Sequence, residues 1–108
     1  AERIAAVWDY ASSPLLTPGE RAALRLAHDA ALVPNEAGAE DFTELRRYFD
    51  DGQIVEIVAT IALFGYLNRW NDTMATELEA LPARVAAELM GERGWEPGKH
   101  LSKTPAAR

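Results

Sequence analysis

The stretch Gln53-Ile54-Val55-Glu56-Ile57-Val58-Ala59-Thr60-Ile61-Ala62-Leu63-Phe64-Gly65-Tyr66-Leu67-Asn68-Arg69-Trp70-Asn71 decides the fold. Its apolar residues, at 54, 55, 57, 58, 59, 61, 62, 63, 64, 66 and 67, wrap a helical cylinder almost completely instead of forming one stripe. A helix that is apolar all round has to be surrounded. Glu56 and Thr60 interrupt the run, which is also shorter than the roughly 18 apolar residues of a membrane span. It therefore reads as a buried core helix, from about Gln53 to beyond Met74, and no membrane partner is expected. The rest of the chain offers three other substantial helices to cover it. Some of its surface is expected to pack against another chain or a missing segment, and the protein to be a homo-oligomer.

Outward from this helix the signals are helical throughout. Asp50 or Asp51 can cap it. Before it, Glu40 to Phe49 predicts a short helix with Phe42, Leu45, Tyr48 and Phe49 as its buried stripe, preceded by a loop over residues 34–38. Thr17-Pro18-Gly19-Glu20 opens another helix with a capping box and proline at its first position. That helix carries Ala23, Leu24, Ala27, Ala30 and Ala31 on one side and ends before Pro34. Residues 2–11 place Ile4, Val7, Trp8 and Ala11 on one helical face, starting abruptly without a cap. A last helix runs from about Pro82 to Met90, with Leu81, Val85 and Leu89 at helical spacing and Gly91 and Gly94 ending it. The fold expected is all-α, a bundle of about five helices forming a single domain over residues 1–96, followed by an extended tail over 97–108.

Composition narrows the chemistry. The chain has 108 residues, 48% hydrophobic and 26% charged, the balance of an ordinary folded domain. A formal charge of −6 disfavours nucleic-acid phosphates as a partner. With no cysteine, disulfides, zinc–thiolate sites and a nucleophilic thiol are all excluded from this chain. That composition fits a reducing, cytoplasmic setting, and no secretory signal opens the chain. His28 and His100 have no ligand-spaced partners, so no metal site is expected and a structural or solvated role is expected for both. Ser12 and Ser13 lack a nucleophile-elbow motif.

The candidate site lies on the long helix. Glu56, Thr60, Asn68 and Asp72 fall on a four-residue row, with Asn71 close to it, and could line one groove. A carboxylate desolvated there could act as acid or base; one paired with Arg46, Arg47 or Arg69 would hold the bundle together. Tyr66, Asn68, Arg69, Trp70 and Asn71 cluster where the apolar run ends, facing either a pocket, a subunit interface or solvent. The pocket or interface candidates are thus Glu56, Thr60, Tyr66, Asn68, Trp70 and Asn71, with no catalytic residue assigned.

Phe42-Thr43-Glu44-Leu45-Arg46-Arg47-Tyr48-Phe49, followed by Gln53-Ile54-Val55-Glu56-Ile57 and by Ile61 through Asn71, resembles the C-terminal half of the carboxymuconolactone decarboxylase and alkyl hydroperoxidase D-like family. Ser13-Pro14-Leu15, Glu20-Arg21-Ala22-Ala23-Leu24, Gly94-Trp95 and Gly98-Lys99-His100 extend the resemblance over roughly residues 12–100. It implies all-helical subunits that join into dimers, trimers or larger rings. It also implies a peroxidase, an antioxidant oxidoreductase in which a Cys-x-x-Cys pair, a histidine and an upstream glutamate reduce hydroperoxides without a separate cofactor. None of that motif can be placed in this chain. In the family it precedes the matched region, so the resemblance implies either an N-terminal segment carrying Cys-x-x-Cys or a relative that has dropped the thiols. The family's decarboxylase branch acts on a lactone without the cysteine pair. It leaves open a cysteine-free enzyme using Glu56 or a histidine as proton carrier, and a non-catalytic oligomerisation module is the remaining alternative.

Overall fold

A computed structural model describes residues 1–101, and the described residues form five α-helices joined by turns and 3₁₀ segments, with no strand among them. The helices are α1 (Glu2–Ala5), α2 (Pro18–Ala31), α3 (Ala39–Leu45), α4 (Asp51–Met74) and α5 (Ala80–Met90). The all-α expectation is met.

The two best-defined helix starts are built as their sequences dictate. At α2, the Thr17 hydroxyl accepts from the Glu20 amide while the Glu20 carboxylate accepts from the Thr17 amide, at 3.2 and 2.8 Å. At α4, the choice between two aspartates is resolved in favour of Asp50, whose carboxylate accepts from the Gln53 amide at 2.8 Å. These reciprocal pairs satisfy amides that have no partner inside the helix. At the other end of α4, Ala75 takes a left-handed conformation, φ 49°, and closes the helix.

The core is small. Ala22 and Leu26 of α2, Leu45 of α3 and Ile54 of α4 form its buried cluster, edged by Ala23, Phe42, Phe49, Ile57 and Ile61. The buried side of α2 is therefore Gly19–Ala22–Leu26, a step around the helix from the expected Ala23–Ala27 line. Gly19 decides this: a β-carbon there would stand 3.2 Å from both Phe49 Cζ and Tyr48 Cβ, so the bare backbone lets α2 settle on the α3–α4 turn.

Three other expectations are corrected. The N-terminal segment is α-helical only to Ala5 and tightens to a 3₁₀ turn at Ala6–Asp9, since an uncapped first turn is too short to propagate. The third helix stops at Leu45; Arg46–Tyr48 form a turn and Tyr48 is left 39% exposed. The tail is not extended throughout: Gly98–His100 make a 3₁₀ turn, reached through Gly98 at φ +51°, which packs on the end of α4. The tail's remaining residues, 102–108, lie outside the described part.

A 24-residue helix is about 36 Å long, and the packed core that it shares with α2 and α3 runs along it only from Ile54 to Ile61. The radius of gyration, 16.3 Å, exceeds the about 13 Å of a compact chain of this size, and the longest dimension is 56 Å. The apolar helix that should be surrounded has only one buried residue, Ile54. At the far side, α5 packs on α1, and Arg93, just after α5, pairs with Asp9, in the 3₁₀ turn after α1. The Arg93 guanidinium keeps the Asp9 carboxyl below its usual range.

Candidate functional site

The polar row of α4 does not line one groove. Each four-residue step turns the helix about 40° past a full turn, so Glu56 and Asp72 end about 160° apart. Glu56 and Thr60 lie beside α2, in a shallow apolar groove with Ala23, Ala27, Phe49 and Ile61. Asn68 and Asp72 lie in a polar cleft with Leu32, Val33 and Asn35, formed by the loop after α2. Asn71 faces a third depression, shared with Leu78, Pro82 and His100. Tyr66 and Trp70 stand on the outward side, ring centroids 6.4 Å apart, both more than half exposed.

Glu56 is exposed and has no ion-pair partner among the described residues. Arg46 instead approaches Asp51, and Arg47 pairs with Glu44. The Thr60 hydroxyl is spent on the Glu56 carbonyl, 2.8 Å away, a back-bond within the helix. Neither residue is enclosed, which a desolvated acid or base would need. Ser13 is buried, its hydroxyl accepting from the Leu15 amide at 3.3 Å, and serves the turn before α2.

Two polar clusters are invisible to local spacing. In the first, Asp41 is 4% exposed; its carboxylate takes the Gly38 amide at 3.1 Å and faces Arg25 Nε at 3.3 Å, joining α3 to α2. Asp29 lies beside this group and is held below the ordinary carboxylate range, chiefly by its hydrogen bond with His28. His28 therefore belongs to an ion-pair patch on α2.

In the second cluster His100 crosses 28 residues of sequence to Asp72, with Nε2 3.2 Å from the carboxylate. Its Nδ1 lies 2.8 Å from the Thr76 carbonyl, and its own carbonyl accepts from the Leu78 amide at 2.9 Å. Lys99 adds a contact to the other Asp72 oxygen at 3.3 Å. The His100 hydrogen bond, followed by Lys99, lowers the Asp72 carboxyl from its ordinary value. Such a carboxyl stabilises the folded turn above its ordinary pKa, and that contribution disappears as pH falls through the lowered one. An NMR titration of the Asp72 carboxyl is expected to show a midpoint below about 3.9, moving up in His100→Ala. An unchanged midpoint in that variant would remove His100 as the cause.

Among the described residues no group of three or more metal-ligating side chains converges, and no helix is long and apolar enough to cross a membrane. What the described residues present is an apolar helix flanked by open grooves. Comparison with family models, curated proteins and solved structures finds no match to this chain.

Proposed function

We propose that this chain is the C-terminal helical portion of a carboxymuconolactone decarboxylase/alkyl hydroperoxidase D-like protein. In this reading the protein is a cytoplasmic peroxidase, and its Cys-x-x-Cys relay lies on an N-terminal segment. The 108 residues supply core, pocket wall and oligomer contacts. The observation that carries the proposal is the state of α4: an all-apolar helix with Ile54 as its one buried residue is a core element short of its neighbours. The family-like phrase from Phe42 to Asn71 supplies the identity of those neighbours. Tyr66, Trp70 and Asn71, away from α2 and α3, and Asn68, in the open cleft at the end of α2, are the residues that they would meet.

The chemistry assigns this chain a passive share. Hydroperoxide reduction by a dithiol forms a disulfide as the O–O bond breaks: the two sulfurs are oxidised, the peroxide oxygens leave as alcohol and water, and no residue of this chain changes oxidation state. The α4 grooves would exclude water and position the peroxide's apolar tail. The test is native purification followed by intact-mass measurement and an organic-hydroperoxide assay. A Cys-x-x-Cys segment joined to or co-purifying with this chain is expected, with peroxide reduction abolished by thiol alkylation. A lone 11.9 kDa species, or peroxide turnover indifferent to alkylation, would sink the proposal.

A further inference from the structure

We infer that two copies of this chain pair antiparallel along the outward stripe of α4, about a two-fold axis near Ile61. This deepens the oligomer-forming part of the reading above and does not depend on the thiol chemistry.

The stripe consists of Gly52, Glu56, Ala59, Leu63, Tyr66 and Trp70, spaced by alternating steps of four and three residues. That spacing is the seam of a helix that packs against another helix; Leu63, Tyr66 and Trp70 lie on the side away from Ile54, while Glu56 and Ala59 stand at the rims of the grooves beside α2 and α3. Val55, Leu63, Tyr66, Trp70 and Met74, on or beside the stripe, are each more than half exposed, and Leu67 at its edge is 40% exposed. Together they leave roughly 700 Å² of apolar surface open, close to the about 800 Å² that each side of a standard interface buries. Isolated chains rarely leave a patch of that size to water.

The occupant is a second copy because the stripe complements itself when reversed. Its small residues lie at the N-terminal end and its large ones at the C-terminal end. An isologous antiparallel pairing sets Leu63 against Ala59 of the second copy, Tyr66 against its Glu56 and Trp70 against its Gly52. Each bulky side chain then meets a gap, whereas a parallel pairing would stack Trp70 on Trp70. Charge agrees with shape. Glu56 is the stripe's one charge, and in the reversed pairing the Tyr66 hydroxyl of the other copy reaches it and donates to its carboxylate.

Sedimentation of the purified chain is expected to give twice 11.9 kDa. Leu63→Glu is expected to weaken association by roughly 30-fold or more with helicity unchanged, because Leu63 takes no part in the folded core. Since the chain has no cysteine, Ala59→Cys and Leu63→Cys variants can be mixed and oxidised. Disulfides between the two variants are expected to predominate over those within either. A wild-type chain at 11.9 kDa, a dimer untouched by Leu63→Glu, a trimer, or cross-links confined to like variants each overturns the pairing. If α4 is instead covered by more of its own polypeptide, the purified wild-type protein is monomeric and Leu63→Glu loses helicity. That result overturns the pairing and leaves the thiol reading standing. A doubled mass with no alkylation-sensitive peroxide reduction does the reverse.

Discussion

Leu45→Ala is expected to cost about 3 kcal/mol, within the 2–5 kcal/mol typical of a buried leucine cut to alanine, and to leave the chain only marginally stable. Leu45 has no exposed surface and Leu26, its neighbour across α2, only 2%. With Ala22 and Ile54 they make up the buried cluster, so there is little surrounding mass to collapse into the space left. Ordinary domains hold only about 5–15 kcal/mol in reserve, and a core this small belongs at the low end. Urea unfolding followed by circular dichroism is the measurement, with a midpoint drop of roughly 1–3 M at the slopes usual for small domains. Leu63→Ala is the control: on an exposed site it should move stability by no more than about 0.5 kcal/mol once the chain is dilute enough to be monomeric. Equal effects at the two positions would mean that Leu45 is not the centre of the fold.

The contrast between those two leucines shows what could be read from the sequence. Helix existence and helix starts were legible because they are local: Thr17 with Glu20 and Asp50 with Gln53 interact three residues apart, and the chain needs nothing else to satisfy them. The apolar circumference of α4 was legible too, but not that the described residues bury only Ile54 of it. The polar row from Glu56 to Asp72 misled, because a four-residue spacing holds a face over two turns and loses it over four. The clusters around Asp41 and Asp72 depend on α2–α3 packing and on the turn at Gly98, which periodicity does not encode. The phrase Gly98-Lys99-His100 was noticed through a resemblance; that it folds back onto Asp72 required coordinates.

Gly19→Val is expected to destabilise the chain by about 2–3 kcal/mol, the upper part of the range for overpacking, whereas Gly19→Ala should be nearly neutral. The two differ in which force wins. An alanine β-carbon would stand 3.2 Å from Phe49 Cζ and from Tyr48 Cβ, a few tenths of an ångström too close. The Phe49 ring can tilt away by that much, and replacing a helical glycine returns up to about 1 kcal/mol in backbone entropy. Valine adds two methyl groups at a branch with little rotational freedom. Tyr48 Cβ is fixed to its backbone, so one of these methyls must push the Arg46–Tyr48 turn off α2. The displacement would also pull Leu45 and Ile54 out of register with Leu26, since Phe49 leads directly into the Asp50 cap of α4. Thermal and urea unfolding of both variants checks this. If valine and alanine shift the midpoint alike, the close approach of α2 to the turn does not exist in solution. The buried side of α2 would then revert to the Ala23–Ala27 line that the sequence alone suggests.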